Sequence, residues 1–209
     1  MMRAIYRFYE NRLYPKLMEM NLTGENFDNQ RRELLSKAKG NILEIGFGTG
    51  KNAGFYPEHV KHISAIDPNE AMESHLRERL GKNCLEVDIY NMSAEGLAFK
   101  DNTFDCVVST FTLCTITDPQ KALSEFHRVL KPGGRFLFLE HGRSPDRMVF
   151  WVQNLTNPLF NVFGCGCNVN RNIKAVVENS PLRIREFDSF YLEPKLHGYI
   201  YKGIAVKDR

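Results

Sequence analysis

The chain has no apolar run near the roughly 18 residues that a bilayer-spanning helix requires. A signal-peptide pattern is missing as well, because Arg3, Arg7, Glu10 and Arg12 interrupt the N-terminal stretch where an apolar centre would stand. Cysteine is sparse and odd in number. Cys84, Cys106, Cys114, Cys165 and Cys167 mostly sit within apolar runs, which suits reduced, packed thiols better than a disulfide framework. These absences predict a cytoplasmic protein. Cys165-Gly166-Cys167 is too tightly spaced for the usual paired zinc ligands and no second His/Cys pair follows it, so no metal site is expected. A strong charge of one sign is also lacking: the net charge is +3, with no basic stripe beyond the N-terminal arm, and no nucleic-acid partner is expected. Nor is there a repeat, a low-complexity tract or an interdomain linker. With 209 residues, 43% of them hydrophobic, the chain reads as one domain with a substantial core.

What is present is a rhythm of short apolar runs alternating with amphipathic segments, the pattern of a parallel sheet with crossover helices. Strands are predicted at 41–46 (NILEIG), 62–67 (HISAID), 84–88 (CLEVD), 104–110 (FDCVVST) and 135–140 (RFLFLE). A helix is expected over 69–80, stopped by Gly81, and another over 118–130, with Asp118 as N-cap, Pro119 in the first turn and a turn at Lys131-Pro132-Gly133-Gly134. Residues 148–163 read as a helix broken at Pro158, with an irregular loop, over one end of the sheet. Two alternating segments, 182–192 and 198–206, read as an antiparallel pair at the sheet edge. Ahead of the first strand, Ile5, Phe8, Tyr9, Leu13, Leu17 and Met20 share one helical face within 1–27, kinked near Pro15. That arm either packs over the cleft or lies on a membrane surface, its Arg3, Arg7, Arg12 and Lys16 meeting anionic lipid.

The chemistry signal is Leu43-Glu44-Ile45-Gly46-Phe47-Gly48-Thr49-Gly50. Glycines directly after a first strand permit a tight turn and a close ligand approach. A dinucleotide fingerprint would place its third glycine at position 51, where this chain has Lys51. Glu44, just before the glycines, would repel a pyrophosphate but suits the charged amino acid end of S-adenosylmethionine (SAM). Asp67, at the end of the second strand, offers a carboxylate to two ribose hydroxyls. Both acids argue against a nicotinamide cofactor.

From about Gly40 to Glu140 the sequence resembles the class I SAM-dependent methyltransferases. NILEIGFGTG is similar to their first motif, AIDPNEAM to the second, the stretch from Met92 to Asp105 to the segment that wraps the adenine, and FHRVLKPGGRFLFLEH to the helix, turn and fifth strand beyond it. The resemblance implies an α/β Rossmann-like fold: a mostly parallel seven-stranded sheet with an antiparallel C-terminal edge pair and helices on both faces. It implies SAM as cofactor, S-adenosylhomocysteine as product, and a cofactor-binding set of Glu44, Gly46, Phe47, Gly48, Gly50, Asn52, Asp67, Pro68, Ser93, Ala94, Glu95, Thr110 and Phe111. Ser93 stands where many members carry Asp, which removes a carboxylate from the adenine contact. Within the superfamily, Phe55-Tyr56-Pro57, Leu113-Cys114, Glu140-His141, GCNVNR (166–171) and the ending HGYIYKGIAVK are similar to the methyltransferase-like alkyl thiol methyltransferases. Related bacterial enzymes methylate the amine of phosphatidylethanolamine, and quinone-biosynthesis C-methyltransferases share the central motifs. The implied acceptor is therefore a small molecule or a phospholipid, with a quinone precursor or a non-catalytic SAM-binding role as alternatives.

Acceptors enter open α/β sheets above the carboxyl ends of the strands. His141 is the expected catalytic residue there, as a base or an orienting donor; its other reading is a cap of the strand end. Asn168 and Arg171 either close over the acceptor, with Arg171 pairing an anion, or form a surface loop; Cys114 either lines the pocket or packs as a small hydrophobe. Three segments of a single methyltransferase domain follow: an N-terminal helical arm or lid (1–40), a SAM-binding core (41–142) and a substrate-side helix, loop and C-terminal strands (143–209). Their Lys/Arg against Asp/Glu counts are eight to five, ten to fourteen and ten to six, so an acidic core is flanked by basic segments. That asymmetry leans toward an anionic or lipid-surface acceptor. Oligomeric state leaves no signal in the sequence.

Overall fold

In the computed structural model the described residues are 9, 13–15, 22–69, 85–192 and 198–209. Seven strands form one sheet in the order β3-β2-β1-β4-β5-β7-β6. They are β1 (Ile42–Ile45), β2 (His62–Ile66), β3 (Glu86–Tyr90), β4 (Phe104–Thr110), β5 (Leu130–His141), β6 (Arg183–Tyr191) and β7 (Tyr199–Val206). The first five run parallel, and β7 lies antiparallel between β5 and β6. The order reverses between β1 and β4, which opens a crevice at their carboxyl ends.

Four α-helices are described: α1 (Glu25–Leu35), α2 (Pro119–Val129), α3 (Arg147–Phe163) and α4 (Ile173–Glu178). Period-two alternation along the central strands feeds both faces of the sheet. Phe136 and Phe138 of β5 pack with Ala122, Leu123 and Phe126 of α2, whereas Leu137 and Leu139 point to the layer that holds Leu34 and Leu35 of α1. α2 begins as its sequence dictates, with Asp118 accepting from Lys121 N at 3.0 Å and Pro119 in the first turn.

Three expectations need correction. β5 starts at Leu130, so Lys131-Pro132-Gly133-Gly134 lies within the strand instead of forming a separate turn. Leu130 pairs with Phe104 before a register shift, and the chain beyond β7 binds this segment through Gly133 N to Lys207 O and Lys207 N to Gly134 O. β3 occupies Glu86–Tyr90, two residues later than its apolar run suggested, and Glu86, Asp88, Ile89 and Tyr90 are exposed. α3 runs unbroken through Pro158. Its lost hydrogen bond would have gone to Asn154, and both residues lie on the exposed side, where water can take the freed carbonyl. α1 lies within the helical arm expected over 1–40, though its bounds were not anticipated, and α4 was not anticipated as a helix. The helix expected over 69–80, from residue 70 on, and most of residues 1–21 fall outside the described residues. Among the described residues, no helix is long and apolar enough to cross a membrane.

Candidate active site

The turn after β1 folds as its glycines require. Gly46, Gly48 and Gly50 have φ of 69°, 54° and 74°. A Cβ on Gly46 would stand 2.2 Å from Thr112 Oγ1, so this glycine lets the loop after β4 press against the loop after β1. A Cβ on Gly48 would meet nothing within 4 Å, so a ligand has room above it. The loop's amides are already engaged: Gly46 N and Phe47 N donate to Ile66 O, Gly48 N to Asp67 Oδ2 at 2.8 Å, and Gly50 N to Phe47 O. The loop therefore offers a ligand space and acceptors more than free N–H donors.

Asp67 is held by two backbone donors, Gly48 N on Oδ2 and Asn69 N on Oδ1. A carboxylate has about four lone-pair directions, so this grip leaves capacity for hydroxyl donors. Burial raises its pKa, and the two amides oppose that rise. Pro68 follows on the surface.

Glu44 is buried beneath the turn, 1% exposed. Its Oε1 accepts from Asn52 Nδ2 at 2.8 Å and its Oε2 from the Tyr56 hydroxyl at 2.6 Å. Burial pushes its pKa up to about 7, against the lowering effect of both hydrogen bonds and of Arg31. Asn52 Nδ2 also donates to Thr110 Oγ1 at 2.8 Å, which ties the turn after β1 to the end of β4. Both amide hydrogens are thus spent, while the buried Asn52 Oδ1 has no hydrogen-bond partner. An orphaned acceptor beside a buried acid suits an ammonium group, the donor at the amino acid end of SAM. With the space above Gly48 and the capacity left on Asp67, it makes these residues fit that cofactor.

The adenine-side residues sit apart from this triad. Ser93 is exposed and its hydroxyl accepts from Glu95 N at 3.2 Å, Ala94 is buried, and Glu95 accepts from Asp118 N at 2.9 Å. The Ser93 hydroxyl is therefore partly committed to a local turn and one Glu95 oxygen to the start of α2.

At the ends of β4 and β5 lies the opposite wall. Phe111 adopts φ of 54°, rare for a bulky side chain. Its ring meets the His141 ring at 4.7 Å between centroids and Phe27 of α1 at 5.8 Å, and the Arg31 guanidinium lies 5.4 Å from its centroid. Glu140 is wholly buried and organises the loop after β4, accepting from Ser109 Oγ at 2.6 Å, Thr112 N at 3.2 Å and Cys114 N at 3.3 Å. Burial raises its pKa.

Arg171 takes neither role expected of it. Its Nη1 donates to Leu113 O at 2.6 Å and Ile116 O at 2.7 Å, so it braces the β4 loop. Asn168 does the same from the next loop, with N and Nδ2 both directed at Cys114 O, at 3.0 and 3.3 Å. The two loops thus hold Cys114 Sγ and Cys167 Sγ 3.8 Å apart, with a His141 ring nitrogen beside them. The sequence flagged Cys114 and Cys167 separately; no local spacing announces that they meet at His141. Tyr56 and Glu140 were likewise visible only as parts of short strings; an acid at the end of an apolar strand is the signal that could have singled out Glu140, and Tyr56 carries none.

Residues 43–138 match the model of a methyltransferase domain. The thiol S-methyltransferase TMT1B of Rattus norvegicus is 33% identical over 185 residues, covering 80% of this chain and 74% of that protein. The human thiol S-methyltransferase TMT1A is 32% identical over 199 residues, covering 88% and 80%. A SAM-dependent methyltransferase of Thermotoga maritima superposes with a TM-score of 0.64 at 20% identity, covering 99% of this chain and 96% of that one, which shows a common fold. With the glycine turn, the two strand-end acids and the seven-stranded order in place, these similarities settle the family: the chain belongs to the class I SAM-dependent methyltransferases, in the group of the thiol S-methyltransferases TMT1A and TMT1B.

Proposed function

We propose that this methyltransferase acts on a thiol, converting it to a methyl thioether. The observation that carries the reading is the sulfur-rich wall at the carboxyl ends of β4 and β5, where His141, Cys114 and Cys167 meet beside Phe111. The thiol S-methyltransferases that align with most of the chain support the same acceptor class. Bound SAM supplies an electrophilic methyl group on a sulfonium, so the protein's work is alignment, exclusion of water and handling of the thiol proton.

Asp67 and Asn52 are placed to hold the two ends of the cofactor, with Glu44 as the positioning residue that fixes Asn52. Phe111, packed between Phe27 and His141, forms the wall between the donor side and the acceptor side. His141 faces the acceptor. The test is turnover of purified protein with SAM and an alkyl thiol, read as S-adenosylhomocysteine and methyl thioether formed in equal amounts. No product above the blank, from a protein that still binds S-adenosylhomocysteine, would overturn the thiol reading.

A second reading has its own observation. α3 exposes Met148, Trp151, Leu155, Leu159, Val162 and Phe163, each at least half exposed, along one uncharged face. Such a face suits contact with a membrane surface, which would bring apolar acceptors, or the amine of phosphatidylethanolamine, to the site. The peripheral contact expected of residues 1–20 falls largely outside the described residues. Product formation from phosphatidylethanolamine liposomes but not from thiols would favour this reading over the first.

A further inference from the structure

Cys114, His141 and Cys167 lie far apart in the sequence, on the loop after β4, at the end of β5 and on the loop after α3. Their ligand atoms nonetheless lie within 4.8 Å of one another, and the two sulfurs are 3.8 Å apart. Zn–S bonds of about 2.3 Å at tetrahedral angles set two sulfurs about 3.8 Å apart, and a Zn–N bond of 2.0–2.1 Å sets nitrogen and sulfur about 3.6 Å apart. The sulfurs already have the spacing of a shared ion, and the imidazole needs to move by only about 1 Å to complete it.

The frame around the three is built to hold them still. Glu140 accepts from Cys114 N, Arg171 clamps both carbonyls that flank this loop, and Asn168 staples the Cys167 loop to Cys114 O. His141 sits in register with Ile200 on the sheet. Ligands on braced loops and a strand end are what a metal site of defined geometry needs.

We propose that Cys114, His141 and Cys167 form a three-ligand zinc site whose fourth position receives the acceptor thiol. Two thiolates and an imidazole are a ligand set that zinc favours, and three protein ligands with one open position are the arrangement of a catalytic rather than a structural zinc. Among the described residues, no fourth His, Cys, Asp or Glu joins the cluster. The inference rests on the thiol reading above and gives His141 its role within it.

The chemistry balances without an oxidant or reductant. The acceptor thiol enters the fourth position, releases its proton to water and stays bound through sulfur as a thiolate, which a coordinated thiol becomes at neutral pH. A sulfur lone pair then forms the new carbon–sulfur bond to the methyl group. The methyl–sulfonium bond breaks, and its electron pair leaves with S-adenosylhomocysteine. The neutral thioether is a poorer zinc ligand than a thiolate and departs.

The test uses the full chain, purified under reductant without chelator. One zinc per chain is expected by elemental analysis. Replacement by Co²⁺ should give sulfur-to-metal charge-transfer bands and the strong visible bands of a four-coordinate ion, and hexanethiol added without SAM should shift the visible bands. Cys167→Ser and His141→Ala should each weaken cobalt binding by at least about 100-fold, whereas Cys165→Ser should leave it unchanged. Cys114→Ser joins the set provided that it still binds S-adenosylhomocysteine, since Cys114 is buried. Cobalt affinity unaltered in folded Cys167→Ser and His141→Ala would overturn the site. Alkyl thiol methylation at full rate in protein stripped of metal would overturn it too, while the thiol reading stood. Cobalt bands that no thiol shifts, with no methyl thioether formed, would sink the thiol reading and the proposed fourth position together.

Discussion

Gly46 and Gly48 differ by two positions and share a left-handed backbone, so alanine at each separates folding from ligand binding. In Gly46→Ala the new methyl would sit 2.2 Å from Thr112 Oγ1 and 2.4 Å from Thr112 Cγ2, a contact with the wall that Glu140 and Gly46 O themselves hold. The left-handed conformation costs about 1–2 kcal/mol for a residue with a Cβ, and forcing a methyl into a closed contact costs about 1–3 kcal/mol more. The expected loss is therefore about 2–5 kcal/mol. Gly48→Ala bears only the first cost, because its methyl meets no protein atom within 4 Å. That methyl instead takes the space offered to the cofactor. Urea unfolding, compared at equal m-values, should rank wild type above Gly48→Ala and that variant above Gly46→Ala. Calorimetric titration should show Gly48→Ala binding S-adenosylhomocysteine at least about tenfold more weakly, which corresponds to ~1.4 kcal/mol. Wild-type affinity in Gly48→Ala, or a Gly46→Ala protein as stable as Gly48→Ala, would refute the assignment of open space and closed wall.

Other consequences follow from the same geometry. Glu44 has its pKa raised from 4.5 to about 7 in the fold, so between those values the folded state binds the extra proton and stability falls as pH rises, levelling off above about 7. Glu44→Gln should flatten that slope by an amount on the order of 3 kcal/mol across the window; identical pH–stability curves would contradict the burial of a protonated acid there. Arg171→Met removes two donors from the β4 loop and should cost about 1–3 kcal/mol in stability, with a higher KM for the acceptor and little change in cofactor affinity. Substituting Trp151, Leu155 and Leu159 together by Ser should change stability by no more than about 0.5 kcal/mol per site, yet abolish co-sedimentation with phosphatidylserine-containing vesicles. Wild-type sedimentation of that triple variant would remove the α3 face as the membrane contact.

The parts legible in the sequence are those whose physics is local. Strands β1, β2 and β4 announce themselves as short apolar runs bounded by turns, and the glycine turn and Asp67 follow from which residues tolerate a left-handed backbone and which can end a buried strand. The start of β5 was hidden because Pro132 and Gly133 carry turn chemistry wherever they occur; only the pairing of Gly133 and Gly134 with Lys207, distant in sequence, draws them into the sheet. α3 passed through Pro158 because the lost bond falls on a face open to water, which no local signal encodes. Arg171 reads from sequence as an anion clamp, since nothing near it reveals the two carbonyls it holds.

The same distinction changes what the charge asymmetry means. The basic excess of the flanking segments, eight cations to five acids and ten to six, leans toward an anionic acceptor; ion pairs among the flanks' own charges leave that excess in place but fix where several of the cations sit. Lys37, just beyond α1, pairs with Glu186 of β6, and Glu33 of α1 pairs with Lys202 of β7, so the two flanks are tied together, while Arg183 pairs with Asp208 within the C-terminal flank. Arg31 and Arg171 turn inward to carbonyls and aromatic rings. Exposed ion pairs of this kind add little stability, but each holds its cation beside an acid at the far edge of the sheet. Distinctive on the side proposed for the acceptor are uncharged features: the Phe111 ring, an apolar outer face on α3, and two sulfurs with an imidazole beside them. Softness and desolvation are what such a composition can offer a nucleophile, and the proposed thiol is the acceptor class that gains most from both.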